Sequence, residues 1–258
     1  MKKILISASC SALASNFIRN LLYEGANYRV SSFDMITHDK YMKNVYINKN
    51  NNFYFADIND THILSKIIAF EKPDVFLDFA HSPASIELEK ILAGIEKYIL
   101  VSNYYDDGKK SKEQMDLPNK SILRLPKLYG PRQFMPADIS SMIHAGLSQN
   151  SIKIDKNPMQ DEYWMHIFDA IKNVKFMIEN PNVKEFNAYG KQCFNYLEVQ
   201  QKISKIMKRD IPIVYDSTLT SAPRDLILEA CQQEFPLHDG LDQTIEWCQD
   251  NQWVFNEK

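Results

Sequence analysis

The residues best placed to do chemistry sit at the start of the chain. Ser7, Ala8, Ser9, Cys10, Ser11, Ala12, Leu13 and Ala14 form a run of mostly small side chains. The run separates an apolar triplet, Ile4, Leu5 and Ile6, from a segment with Phe17, Ile18, Leu21 and Leu22 at helical spacing. A strand, a small-residue turn and a helix form the opening of a dinucleotide-binding βαβ unit, where helix N-terminal amides receive a diphosphate. That turn ordinarily contains three glycines, and this one has none. Ala14 can serve the helix–strand packing job. Ala8 costs about 1 kcal/mol if the turn needs a positive φ. Ser11 places a Cβ and a hydroxyl where a diphosphate would lie. By spacing alone the turn is a packing feature rather than a cofactor loop.

A second candidate is Asp34, at the end of an apolar stretch from Tyr28 to Phe33 and roughly 20 residues past the turn, where a ribose-binding acid belongs. No Arg or Lys follows until Lys40, so a 2′-phosphate has no partner and NAD is favoured over NADP. The four cysteines, Cys10, Cys193, Cys231 and Cys248, have no metal-binding spacing and are expected to be free thiols. No metal site is expected.

The elements that would position these groups alternate. Strands are expected at Phe53–Phe55, Asp74–Phe79, Tyr98–Val101 and Ser121–Leu125. Helices are expected at His62–Phe70, capped by Asn59-Asp60-Thr61, and at Ala84–Gly94, opened by Ser82-Pro83. Further on, helices are expected at Ala137–Leu147, Phe168–Glu179, Tyr196–Met207 and Gly240–Asn251, with strands at Tyr163–Ile167, Phe186–Tyr189 and Ile211–Tyr215. Alternation of this kind predicts an α/β fold with a parallel, doubly wound sheet. The 258 residues are 45% hydrophobic, enough for a large core. The net charge of −3 implies no general attraction to nucleic acid or membrane, and no apolar run could span a bilayer. A cytoplasmic protein is expected.

Several blocks, in this order and spacing, resemble the extended short-chain dehydrogenase/reductase family that acts on nucleotide sugars. They are Arg124 with Leu128-Tyr129-Gly130-Pro131-Arg132-Gln133-Phe134, then Trp164-Met165-His166-Ile167-Phe168-Asp169, Phe186-Asn187, Arg224-Asp225 and the stretch from Gly240 to Trp247. The dTDP-glucose 4,6-dehydratase branch is the most similar. The resemblance implies a Rossmann domain over residues 1–135 and a smaller α/β lobe over 136–258, interleaved with it, that binds a UDP-, dTDP- or GDP-linked sugar.

It further implies dinucleotide contacts at Ser7, Ser9, Ser11, Leu13, Asp34, Asp57, Ile58, Phe79 and Ala80, and substrate contacts at Arg132 and Arg224. Arg224 matches an arginine that grips the diphosphate. His166 and Asp169 are expected to fix a strand–helix junction. The family's catalytic Tyr and Lys, four residues apart, match Tyr105 and Lys109 in spacing only, because Asp106-Asp107-Gly108 reads as a turn. Aligning Ser111-Lys112 instead puts Gly108 at the tyrosine position. The family's Ser/Thr falls on Asn103. Much of the catalytic helix is missing, and with it much of the usual dimer surface. Three readings stay open: a sugar-nucleotide binder with weakened or lost catalysis, which holds NAD weakly or not at all; an active enzyme with displaced acid–base residues, Tyr104, Tyr105, Lys109 and Lys112 among them; and a structural partner with an empty cleft. A protein partner or a homo-oligomer through a non-standard interface is expected.

Overall fold

A computed structural model describes residues 1–25, 27–103, 109–189, 193–215, 229–230 and 235–255. The chain divides into two compact units, one formed by Met1–Leu125 with Ile171–Ala188 and the other by Pro126–Ala170 with Tyr189–Glu257.

The first unit is built on parallel strands. These are β1 (Lys2–Ile6), β2 (Tyr28–Asp34), β3 (Asn51–Phe55), β4 (Val75–Asp78), β5 (Lys97–Asn103), β6 (Lys120–Leu125) and, after a gap in sequence, β10 (Glu185–Tyr189). Their spatial order is β10-β6-β5-β4-β1-β2-β3. Every pairing among them is parallel, with Ile6 beside both Ser32 of β2 and Leu77 of β4. This is the doubly wound order, and its direction reverses between β1 and β4. All four residues of β4 are buried, as expected for a strand covered on both faces.

Helices α1 (Ala12–Tyr23), α2 (Asp39–Met42), α3 (Thr61–Glu71), α4 (Ile86–Leu92) and α5 (Lys110–Glu113) alternate with these strands. Asp60 caps α3 by accepting from the Ile63 amide at 3.0 Å. Helix α4 starts two residues later than expected, because Ser85 rather than Ser82 supplies the cap, to Leu88 N at 3.1 Å. Helix α5 has only four residues, which agrees with the expected loss of the long helix after β5.

The second unit packs α6 (Asp138–Ser148), α8 (Tyr196–Met207) and α9 (Leu237–Asp250) around a core that includes Tyr129, Ile143, Trp164, Val199, Ile203, Leu241 and Ile245. Helix α7 (Ile167–Glu179) passes to the first unit at Ile171. Strand β9 (Glu162–His166) lies between β7 (Lys127–Tyr129), parallel to it, and β11 (Cys193–Phe194), antiparallel. A separate parallel pair joins β8 (Ile152–Ile154) to β12 (Ile213–Tyr215). Asn195 and Glu198 form a reciprocal capping box at the start of α8, with bonds of 3.0 and 2.9 Å. Strands β7 and β8 were not expected, since three residues are too short to show a period.

Candidate functional site

The turn after β1 adopts the backbone that its missing glycines would have favoured. Ala8 has φ +46°, in the left-handed region. The turn is held by its own bonds. The Cys10 amide donates to Asp34 Oδ2 at 2.8 Å, and Asn44 Nδ2 donates to the Cys10 carbonyl at 2.9 Å. Ser9 is buried, and its amide donates to the Phe33 carbonyl at 3.2 Å. Ser11 caps α1, its hydroxyl oxygen accepting from Ala14 N at 3.4 Å. Leu13 is buried in the first turn of that helix. Burial, then the neighbouring Asp34, push the Cys10 thiol up to about 12, so it is no nucleophile.

At the carboxyl ends of β1 to β4 lies a cavity of about 190 Å³. Four of the residues expected at a dinucleotide, Asp34, Asp57, Ile58 and Ala80, line it together with Ala8. Burial raises the Asp34 carboxyl above its usual range, opposed by the Cys10 amide. Ser7, Ser9, Ser11, Leu13 and Phe79 do not line the cavity. Ser7 is consumed in a buried knot instead. Its hydroxyl donates to Asp78 Oδ1 at 2.6 Å and accepts from Phe79 N at 3.0 Å and Ala80 N at 3.1 Å.

The same knot takes up a lysine. Lys112 Nζ lies 2.7 Å from Asp78 Oδ2 and 3.1 Å from the Ala80 carbonyl, with both side chains of the ion pair fully buried. Tyr98 adds a hydroxyl bond to Asp78 at 2.9 Å. Burial opposes the Asp78 charge, but Lys112 beside it holds the carboxyl below its usual range. Lys109 is also buried, its ammonium donating to the Phe79 carbonyl at 3.0 Å and to the Val101 carbonyl at 2.6 Å. Its expected partner Tyr105 lies outside the described residues, as do Tyr104 and Arg224. Asp78 was missed at the sequence level. The available signal was an acid closing the wholly apolar run of β4.

The second unit has its own pocket, of about 270 Å³, lined by Asp138, Lys156, Tyr196, Ser141 and the apolar Met142, Ile152 and Ile154 among others. Its polar wall is a network. Tyr196 accepts from Lys127 Nζ at 2.7 Å and donates to Asp138 Oδ2 at 2.8 Å, while Lys127 and Lys156 pair with the two Asp138 oxygens at 2.9 and 3.1 Å. Burial lowers Lys127; Asp138 stays below its usual range because the two lysines and the Tyr196 hydroxyl outweigh its own burial. These four residues come from four separate segments, so no spacing could have announced them. Arg132 has φ +67° and holds its guanidinium 6.0 Å from the Trp247 ring centre. His166 accepts from Phe168 N at 3.4 Å and Asp169 Oδ2 accepts from Phe235 N at 3.2 Å, bonds that tie the strand–helix junction. No group of metal-binding side chains occurs among the described residues. No described helix is long and apolar enough to cross a membrane.

No protein-family model and no curated protein matches the sequence. Solved structures do match. A dTDP-glucose 4,6-dehydratase from Bacillus anthracis, in complex with NAD, has a TM-score of 0.82 at 18% identity over 99% of either chain. A UDP-glucose 4-epimerase from Thermotoga maritima, with UDP-glucose, has 0.77 at 17% over 97% of this chain and 99% of its own. A UDP-glucuronic acid 4-epimerase from Bacillus cereus, with UDP-glucuronic acid and NAD, has 0.79 at 19% over 96% and 99%. The protein therefore has a Rossmann-like α/β fold, the one these dTDP-glucose 4,6-dehydratase and UDP-sugar epimerase structures share.

Proposed function

We propose that the chain binds a UDP-, dTDP- or GDP-linked sugar without hydride-transfer catalysis. The observation that carries this is the fate of the lysine. The family chemistry needs an ammonium beside a tyrosine to lower its pKa. Here Lys112 is fully buried on Asp78, and Lys109 is buried with bonds to the Phe79 and Val101 carbonyls. The dinucleotide fits only in part. The cavity of Asp34, Asp57 and Ile58 suits its adenosine end, while in the turn that would take its diphosphate the Cys10 and Ala14 amides already hold partners. NAD, when bound, would supply a hydride acceptor; no step by this chain's residues is assigned through it.

The sugar nucleotide is assigned to the second unit's pocket, where Lys153, Lys156 and the Tyr196 hydroxyl offer donors beside an apolar wall. Arg132 and Arg224 are assigned to its diphosphate, since a guanidinium offers paired donors to phosphate oxygens. A cytoplasmic role beside a partner protein or a second copy is part of the same proposal.

The test is a calorimetric titration with UDP-, dTDP- and GDP-sugars, followed by product chromatography with NAD added. One class should bind, Arg224→Ala should weaken it by about tenfold or more, and no product should form. Absence of binding across the panel overturns the proposal, and product formation overturns its non-catalytic half. A second proposal, turnover by a displaced couple, has one observation in its favour: the Tyr196 hydroxyl 2.7 Å from Lys127 Nζ. Product formation that is lost in Tyr196→Phe would establish it.

A further inference from the structure

We propose that the free edge of β3 pairs with the same edge of a second copy of this chain, antiparallel and about a two-fold axis at Tyr54. This gives a surface to the second copy in the reading above and rests on that part of it alone; neither pocket takes part.

Strand β3 ends the sheet, with β2 on one side and no described strand on the other. Its bonds to β2 run through alternate residues. The Val30 amide donates to the Asn50 carbonyl at 3.0 Å, and the Ala56 amide donates to the Asp34 carbonyl at 3.2 Å. Phe53 and Phe55, the alternate residues between, therefore turn their N–H and C=O groups outward, where no described residue meets them. Asn51 spends its own amide on the Asn48 carbonyl at 2.9 Å. Edges of this kind are ordinarily blunted by a lysine, a proline or a bulge. This strand reads Asn-Asn-Phe-Tyr-Phe, and its register with β2 runs unbroken from Asn51 to Phe55. Tyr54 turns to the other face, its hydroxyl on Glu71. Phe53 and Phe55 meet edge to face with ring centres 5.1 Å apart, and Phe55 is 67% exposed.

The strand is complementary to itself. A two-fold axis makes two copies of one edge strand antiparallel. Centred on Tyr54, it sets Phe53 opposite Phe55 of the second copy, and the reverse. Each such pair then exchanges both N–H···O bonds, as a hydrogen-bonded antiparallel pair does. The same register lays the phenyl rings of the two copies side by side on one face. Charge agrees with the direction. Lys49, which is exposed, precedes the strand, and Asp57 and Asp60 follow it. The antiparallel arrangement brings the lysine of each copy towards the acids of the other. A parallel arrangement would set like charges together at each end. The strand has five residues, and interfaces below roughly 1,200 Å² are weak and transient. The dimer is therefore reversible, with a Kd of about 100 µM.

The experiment is sedimentation velocity of the full chain from about 5 µM to about 1 mM, with amide exchange read at both ends of the series. The chain should pass from monomer to dimer, and the Phe53 and Phe55 amides should exchange about tenfold more slowly at the high end. Phe55→Lys puts like charges on the seam and should weaken the dimer by about tenfold or more. Its site is exposed, so unchanged circular dichroism should show a folded chain. Lys49→Glu should weaken the dimer by about threefold. Ile86→Lys, at a residue 68% exposed on the helix between β4 and β5, should leave it unchanged. A chain that stays monomeric at about 1 mM overturns the proposal. So does a dimer that Phe55→Lys leaves intact, or one in which the Phe53 and Phe55 amides exchange as fast as in the monomer; either result would put the second copy on another surface. Sugar-nucleotide titration of Phe55→Lys, which should match the native chain, reports on the binding reading, so the two proposals fail separately.

Discussion

Replacing Lys112 by methionine tests the buried knot directly. The substitution keeps the unbranched stem and removes the ammonium, so little cavity forms. Asp78 is left fully buried, its charge held by the Ser7 hydroxyl, the Tyr98 hydroxyl, the Ala80 amide and the more distant Lys109 ammonium. Breaking a buried pair on one side costs about 3–5 kcal/mol, because the remaining charge is uncompensated. Three surviving donors place this case at the lower end, about 3 kcal/mol, against a typical total of about 5–15. Adding Asp78→Asn removes the stranded charge, so the double variant should lose only about 1 kcal/mol relative to the native chain, less than Lys112→Met alone.

All three tryptophans, Trp164, Trp247 and Trp253, belong to the second unit, so fluorescence is blind to this change. Amide exchange in β4 and β5 during urea unfolding is the suitable assay. The pH dependence adds a sign. Native Asp78 titrates below the ordinary carboxylate range, so its contribution is complete above that range and is lost only as the pH falls through the depressed value. Without Lys112, burial raises the carboxyl against weaker opposition, and stability should begin to fall at a higher pH. A loss below about 1 kcal/mol in Lys112→Met, or a double variant as unstable as the two singles summed, would refute the reasoning.

Two further outcomes concern the second unit. Burial lowers the His166 imidazole from 6.5 to about 4, so the unfolded chain takes up a proton in that window that the folded chain refuses. Stability should therefore fall by about 3 kcal/mol as the pH drops from 6.5 to 4, and His166→Gln should lack that share of the slope in tryptophan-monitored urea unfolding; parallel slopes for the two proteins would count against it. Gly240→Ala drives a methyl into the hydroxyl of Tyr129, a ring only 1% exposed and unable to give way. A loss of about 2 kcal/mol and a melting temperature lower by about 4–8 °C should follow, and an unchanged melting temperature would show that the ring moves.

Much of the architecture was legible because local chemistry and global fold agree. Apolar strands alternating with capped helices announce a parallel sheet, and Asp60 and the Asn195–Glu198 box start their helices where their side chains can bond. The strain at Ala8 was also readable, since a strand-to-helix turn without glycine must place some other residue in its left-handed position. Asp34 could be named from its spacing past the turn and Asp57 from the family resemblance, and both line the cavity.

The sequence by itself thus determined the class of fold, the turn and Asp34 at the end of the second strand, all of which depend on residues near one another in the chain or on strand order. Only the tertiary structure decided what became of the lysines. Asp78 and Lys112 are 34 residues apart, and the four members of the Lys127–Asp138–Lys156–Tyr196 network span 69. Whether an ammonium faces a ligand or a buried carboxylate depends on ångström-scale distances between separate segments, and a charge leaves water only where its partner is already in place.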